Sequence, residues 1–138
     1  MQECYADNAT FTDGAFVGLN AKEVKAMWHM LISGGKDLQL TFSNVNASET
    51  KGSCDWVAVY TFSATGNKVT NTIHADFEFS NGKVVHHTDT FSFYKWASQA
   101  FGLKGQLLGW TSFFKSKVQS TAKGRLNSFI TQHPEYKS

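Results

Sequence analysis

His87 and Asp89 stand two residues apart in the stretch Val84-Val85-His86-His87-Thr88-Asp89-Thr90-Phe91-Ser92-Phe93. An imidazole and a carboxylate so placed can supply the acid and the base of a proton transfer. The stretch reads as a β-strand, in which successive side chains point to opposite faces. His87, Asp89, Phe91 and Phe93 then share one face, and His86, Thr88, Thr90 and Ser92 the other. The phenylalanines make the first face the apolar one, and it takes His87 and Asp89 inside with it. A carboxylate in an apolar wall is costly unless it is paired or hydrogen-bonded. Burial raises its pKa and a neighbouring imidazolium lowers it. The structural alternative carries equal weight: at i and i+2 the two groups can simply bond to each other or to backbone and stabilise a sheet.

The elements that must hold this pair are legible around it. Asn81-Gly82 is a strong hairpin signal, so the strand Val69–Phe79 pairs antiparallel with the His87 strand. On that partner Asn71, Ile73, Ala75, Phe77 and Phe79 share the apolar face. Thr70, Thr72, His74, Asp76 and Glu78 take the wetter one. Further strands are expected from Leu38 to Val45 and across Trp56–Phe62, with Trp56 and Tyr60 on one face and a turn at Thr65-Gly66-Asn67. Asn20 with Glu23 forms a capping box for a helix whose apolar face is Val24, Met27, Trp28, Leu31 and Ile32, ended by Gly34-Gly35. Residues 1–6 read as the tail of a helix, Thr10–Asp13 as extended, Trp96–Phe101 as a short helix broken near Gly102 and Gly105, and residues 110–130 as a longer one. The apolar face of that last helix is expected at Trp110, Phe114, Val118, Leu126 and Ile130. The sum is α+β, with helices on one side of an antiparallel sheet.

Composition narrows the function classes. The chain has 138 residues, one domain by size, with a net charge of +2, which is not the footprint of a nucleic-acid binder. Lys115, Lys117, Lys123 and Arg125 are accounted for by a solvated helix face. Cys4 and Cys54 match no metal or redox spacing and read as reduced thiols of a cytoplasmic protein. No apolar run is long enough to span a membrane, and no signal peptide is visible. Twelve phenylalanines suit a lined pocket as well as a core. His74 and His86 lie on the face opposite His87 and Asp89, so one metal cannot gather all four, and no metal or cofactor is expected. His29 reads as solvated and His133-Pro134 as a tail.

Taken together, "CYADNATFTD", the capped helix with "VKAMWHML" and "VYTFSATGNKVTNTIHADFEFSNGKVVHHTDTFSFYKW" resemble the NTF2-like superfamily, in its SnoaL-like branch. Ketosteroid isomerase, scytalone dehydratase and polyketide cyclases are relatives. The resemblance spans about residues 4–96, and the helix at 110–130 lies outside the isomerase pattern. It implies a cone, a strongly curved antiparallel sheet wrapped around helices with a pocket at its open end. It also implies that a first helix is mostly missing here and that residues 1–138 form a single domain. By the isomerase pattern Tyr5-Ala6-Asp7-Asn8-Ala9-Thr10 leads to Asp13 at the position of the general base. The protonated oxyanion-hole aspartate of that enzyme falls at Ala75, so that device is absent, while His87 and Asp89 occupy positions that are apolar there. A histidine–aspartate pair is nearer to the dehydratase.

The resulting expectation is a pocket for a small apolar organic molecule in which a proton is moved without a cofactor, by isomerisation, dehydration or cyclisation. Asp89 or Asp13 is the base, and His87 the acid or the orienter of a carboxylate. Trp28, Trp56, Tyr60, Asn71, Ile73, Ala75 and Phe91 line the pocket. Passive ligand binding and a protein-interaction scaffold are the alternatives; a scaffold predicts the cavity filled by Phe77, Phe91 or Trp28. A homodimer through the outer sheet face, with its strip Thr70, Thr72, Thr88, Thr90, is expected from the resemblance.

Overall fold

The computed structural model describes residues 2–137. One five-stranded sheet runs in the order β1-β5-β4-β3-β2, with β1 Tyr5–Thr12, β2 Gln39–Ala47, β3 Lys51–Phe62, β4 Asn67–Ser80 and β5 Lys83–Thr90. The helices among the described residues are α1 Ala21–Gly34, α2 Phe93–Phe101, α3 Leu103–Leu108 and α4 Ser112–Gln132. The architecture is α+β.

The β4–β5 turn is the one the sequence demands. Asn81 and Gly82 have φ of 53° and 76°, the paired left-handed conformations of a two-residue hairpin. Between Glu78 and Phe79 the ladder shifts by one residue, a bulge at Val85. It lets Val84 and His87 both be buried although they are three residues apart. The α1 capping box is present in full, with Asn20 Oδ1 accepting from the Glu23 N–H and Glu23 Oε1 accepting from the Asn20 N–H.

The amino-terminal residues depart from expectation. Met1 lies outside the described residues, Gln2–Cys4 form one 3₁₀ turn, and from Tyr5 the chain is already a strand rather than a helix tail. Extended, this segment buries Tyr5, Ala9 and Phe11 against the sheet. It runs parallel to β5, with Phe11 beside His87 and Thr12 beside Thr88. The sheet is therefore mixed, not wholly antiparallel. The connection between these neighbours is long, as a parallel pair requires, and α1 to β4 fill it.

Several boundaries also move. Strand β5 stops at Thr90, and the Ser92 side chain accepts from the Lys95 N–H to start α2 at Phe93, so Phe91 and Phe93 are not strand residues. Trp110 precedes Thr111, the N-cap of α4, and is 74% exposed instead of lying on that helix's apolar face. In α1 only Val24, Met27 and Trp28 of the expected face are buried; Leu31 and Ile32 emerge in the last turn. His29 is not solvated: Phe129 and His133 pack on it, and its Nδ1 shares a hydrogen bond of 2.9 Å with Tyr136 Oη. The tail is a 3₁₀ turn, Pro134–Tyr136, folded back onto α1.

Two apolar clusters form. One joins β1, α1 and Leu126 of α4; the other joins Val69, Trp96, Ala97, Ala100 and Phe114 around α2. Ala58, Ile73 and Ala75 are buried but belong to neither. Helix α1 packs on β1, and α2 on β4.

Candidate functional site

Pairing across the sheet sets the floor of the site, because residues directly opposite in an antiparallel pair share a face. His87 stands opposite Phe77, and Asp89 opposite Ala75, which in turn faces Cys54. The next rows are Ile73, Trp56 and Phe42, and then Asn71, Ala58 and Leu40. His87 and Asp89 are each 5% exposed and Asn71 8%, while Phe42 at the far end of its row is 76% exposed. The interior face is thus closed over β5 and β4 and runs out into an open apolar shelf on β2.

His87 is held at both ring nitrogens. Its Nε2 lies 2.8 Å from Asp89 Oδ1 and its Nδ1 2.8 Å from Tyr5 Oη. The indole Nε1 of Trp28 donates to Tyr5 Oη at 2.9 Å. Indole nitrogen can only donate, and an ionised carboxylate can only accept. One arrangement satisfies every member: Trp28 N–H to Tyr5 oxygen, Tyr5 O–H to His87 Nδ1, and His87 Nε2–H to Asp89. Among the described residues no buried side-chain nitrogen or oxygen lacks a partner. Phe11 meets the imidazole edge-on at 4.9 Å and Phe77 covers it at 4.4 Å. Burial drives the Tyr5 hydroxyl up to about 12, opposed by the Trp28 bond and assisted by the charge of Asp89.

Asp13 sits in the loop after β1 and does not bond to His87. Its Oδ1 accepts from the N–H groups of Ala15 and Phe16, both at 2.7 Å. Burial raises its pKa from 3.8 to about 6. The two backbone bonds oppose the rise, the charge of Asp89 adds to it and that of His87 subtracts. Asp13 also raises Tyr60, after burial, while the Trp96 indole N–H donating to Tyr60 Oη at 2.8 Å lowers it. Asp13, His87, Asp89 and Tyr60 therefore share one electrostatic neighbourhood. Phe91 closes it: its ring lies on Gly14, where a Cβ would stand 2.9 Å from Cζ.

Of the residues singled out in the sequence, Trp28, Trp56, Asn71, Ile73 and Ala75 face this interior together with the His87–Asp89 pair. Tyr60 Oη accepts from the Trp96 indole, and the charge of Asp13 adds to the rise that burial gives its pKa. Tyr5 and Cys54 were missed. Tyr5 was hidden by reading its segment as helical, though the alternation Ala9-Thr10-Phe11-Thr12 marks a strand. Cys54 shows its place by a thiol raised by burial and then by Asp89. His74 and His86 are on the outer face, His74 within 2.7 Å of Asp55 and His86 within 2.6 Å of Thr10 Oγ1. Among the described residues no group of three His, Cys, Asp or Glu side chains could hold a metal ion.

Two open hollows among the described residues lie away from His87, Asp89 and Asp13. One of about 640 Å³ lies toward the outer face near Lys51, Glu78 and His86. The other, about 490 Å³, runs between α1 and α4 along Met30, Arg125 and Phe129. At the His87 pair itself, Phe11 and Phe77 occupy the interior.

The model of the SnoaL-like domain family matches residues 1–87. No curated protein matches the chain. Among solved structures, a protein of ketosteroid isomerase-like fold from Catenulispora acidiphila, in complex with trimethylamine, is 12% identical, with a TM-score of 0.63 over 80% of this chain and 83% of that one. The structure of a protein described as a SnoaL-like polyketide cyclase, from a Jannaschia species, is 11% identical, with a TM-score of 0.64 over 73% and 76%. An NTF2-like protein of unknown function from Cytophaga hutchinsonii is 18% identical, with a TM-score of 0.56 over 65% and 80%. These similarities concern the fold.

Proposed function

The chain belongs to the SnoaL-like domain family, and from that premise we propose that it binds a small, largely apolar organic molecule on the interior face of its sheet and moves a proton in it. The observation that carries this reading is the buried His87–Asp89 pair, fixed in one hydrogen-bonding direction by Tyr5 and Trp28, beside a second carboxylate, Asp13. Both nitrogens of His87 are engaged, which favours its orienting role: it presents Asp89 to the ligand. Asp13 takes up or releases a proton near pH 6, close to the working range of a general base. The apolar body of the ligand rests on Trp56, Ile73 and Ala75, reached from the shelf of Leu40 and Phe42. A substrate activated next to a carbonyl suits two neighbouring carboxylates, and isomerisation, dehydration and cyclisation all share that step.

The outer face, with Thr70, Thr72, Thr88 and Thr90 exposed, is proposed to pair with a second copy. The filled interior at Phe11 and Phe77 favours a second reading, a scaffold that binds without turnover.

The deciding experiment is an NMR titration of the imidazoles in wild type and Asp89→Asn, repeated with a panel of small enones, β-hydroxy ketones and trimethylamine. A ligand that moves the His87 signals and is turned over, with turnover lost in Asp13→Asn, supports the proton-transfer reading. Ligand shifts without turnover support passive binding. No shift with any ligand, and imidazoles indifferent to Asp89→Asn, sinks both in favour of the scaffold.

A further inference from the structure

The junction of α3 and α4 presents large apolar side chains to water. Leu103 is 70% exposed, Leu107 62%, Trp110 74% and Phe113 78%. Their exposure has a local cause. Gly105 and Gly109 are buried against α2, and a Cβ on Gly105 would fall inside the carbonyl group of Ala97. At about 100° per residue, Leu103 and Leu107 lie nearly opposite Gly105 around α3. Seating the glycines on α2 therefore turns the leucines outward. Trp110 is held beside them by its indole N–H, which donates to Leu107 O at 2.9 Å.

The segment that carries this tip is charged with one sign. Between Asp89 and Glu135 the chain carries Lys95, Lys104, Lys115, Lys117, Lys123 and Arg125 and no acidic residue. Lys123 is paired with Glu23. Lys104, Lys115 and Lys117, nearest the tip in sequence, enter no ion pair among the described residues. A solvated face accounts for the lysines but not for the leucines, tryptophan and phenylalanine beside them. Contiguous exposed apolar patches mark interaction sites.

We propose that this tip is a membrane-surface anchor: Leu103, Leu107, Trp110 and Phe113 enter the interfacial layer of an anionic bilayer while Lys104, Lys115 and Lys117 meet its headgroups. Apolar and aromatic side chains ringed by lysine are what the interface of an anionic membrane selects. A second copy docked by two-fold symmetry would bring the same basic surface against itself. A nucleic acid would match the charge and leave the leucines in water. No helix among the described residues is long and apolar enough to cross a membrane, so the contact is peripheral.

The test is flotation of the full chain with vesicles of phosphatidylcholine alone and with about a quarter phosphatidylglycerol, at low and high salt. Two variants accompany it, Trp110→Ser with Phe113→Ser, and Lys104→Gln with Lys115→Gln and Lys117→Gln. All five positions are exposed, and circular dichroism verifies the fold of each variant. Wild type is expected to float with the anionic vesicles at low salt, to bind the neutral ones at least about tenfold less, and to lose binding as salt rises. Either variant is expected to weaken binding at least about tenfold. The proposal is overturned if wild type ignores anionic vesicles or if both variants bind as wild type does. It is equally overturned if the serine variant abolishes a self-association that wild type shows by light scattering, which would assign the tip to a second copy.

Discussion

The Trp28 indole donates to the Tyr5 hydroxyl at 2.9 Å, and through that bond it turns the hydroxyl hydrogen toward a histidine it does not touch. Because the indole cannot accept, the Tyr5 oxygen receives its hydrogen and the Tyr5 O–H turns to His87 Nδ1. That leaves Nε2 to carry the hydrogen that His87 gives to Asp89. Helix α1, strand β1 and strand β5 each supply a link, so the tautomer is a property of their packing.

Tyr5→Phe removes the middle of this chain. Trp28 Nε1 and His87 Nδ1 then lose their partner in a buried setting. A buried group left unsatisfied costs about 1–3 kcal/mol, and that loss is expected in urea denaturation. Nitrogen-detected NMR of the imidazole should still show hydrogen on Nε2, because the Asp89 carboxylate can only accept, with the Nδ1 resonance displaced by the loss of its partner.

Asp13 makes stability fall with rising pH. Its folded pKa is raised from 3.8 to about 6, with burial the leading cause. Between those values the folded chain binds more protons than the unfolded one, so the destabilisation grows through this window and is complete above about pH 6. Asp13→Asn keeps an oxygen for the Ala15 and Phe16 N–H groups and removes the charge. At pH 7 the variant should be the more stable by on the order of 2 kcal/mol. At pH 4 the difference should nearly vanish, and denaturation at both pH values measures it.

His74 should titrate above a free imidazole. Its hydrogen bond to Asp55 is the leading cause, and the charge of Asp76 adds to it. The raised pKa favours folding at low pH, a contribution lost as pH rises past the folded value. Asp55→Asn should bring the His74 midpoint down in an NMR titration while the signals of interior His87 stay in place.

Two glycines in helices should respond in opposite directions. Gly105→Ala forces a methyl into the Ala97 carbonyl and should cost about 3 kcal/mol or shift α3 off α2. Gly124, in α4, has open space at its Cβ position. Gly124→Ala should therefore stabilise by about 0.5–1 kcal/mol. Thermal melts of both variants separate the close approach from helix propensity.

Local rules were enough for much of this protein. The capping box of α1, the Asn81-Gly82 hairpin and the alternation of β4 follow from short-range geometry, and they appear as read. The alternation of β5 put His87 and Asp89 inside and His86 outside, and burial agrees. The family, too, was legible in the order of segments. What the sequence could not determine depends on contacts between residues far apart in it. Of the β1 segment only Thr10–Thr12 reads as extended from the sequence, and Tyr5 reads as the tail of a helix; the strand begins at Tyr5 because β5 offers it a parallel partner. Tyr5 entered the site only through that pairing, 82 residues from His87. Periodicity placed Leu31, Ile32 and Trp110 on buried faces, but burial requires a covering element, and α1 and α4 are covered only along part of their length. The separation of Asp13 from His87 was likewise decided by the loop that turns its carboxylate onto its own backbone. Side-chain direction is a local property; which side chains meet is set by the packing of the whole chain.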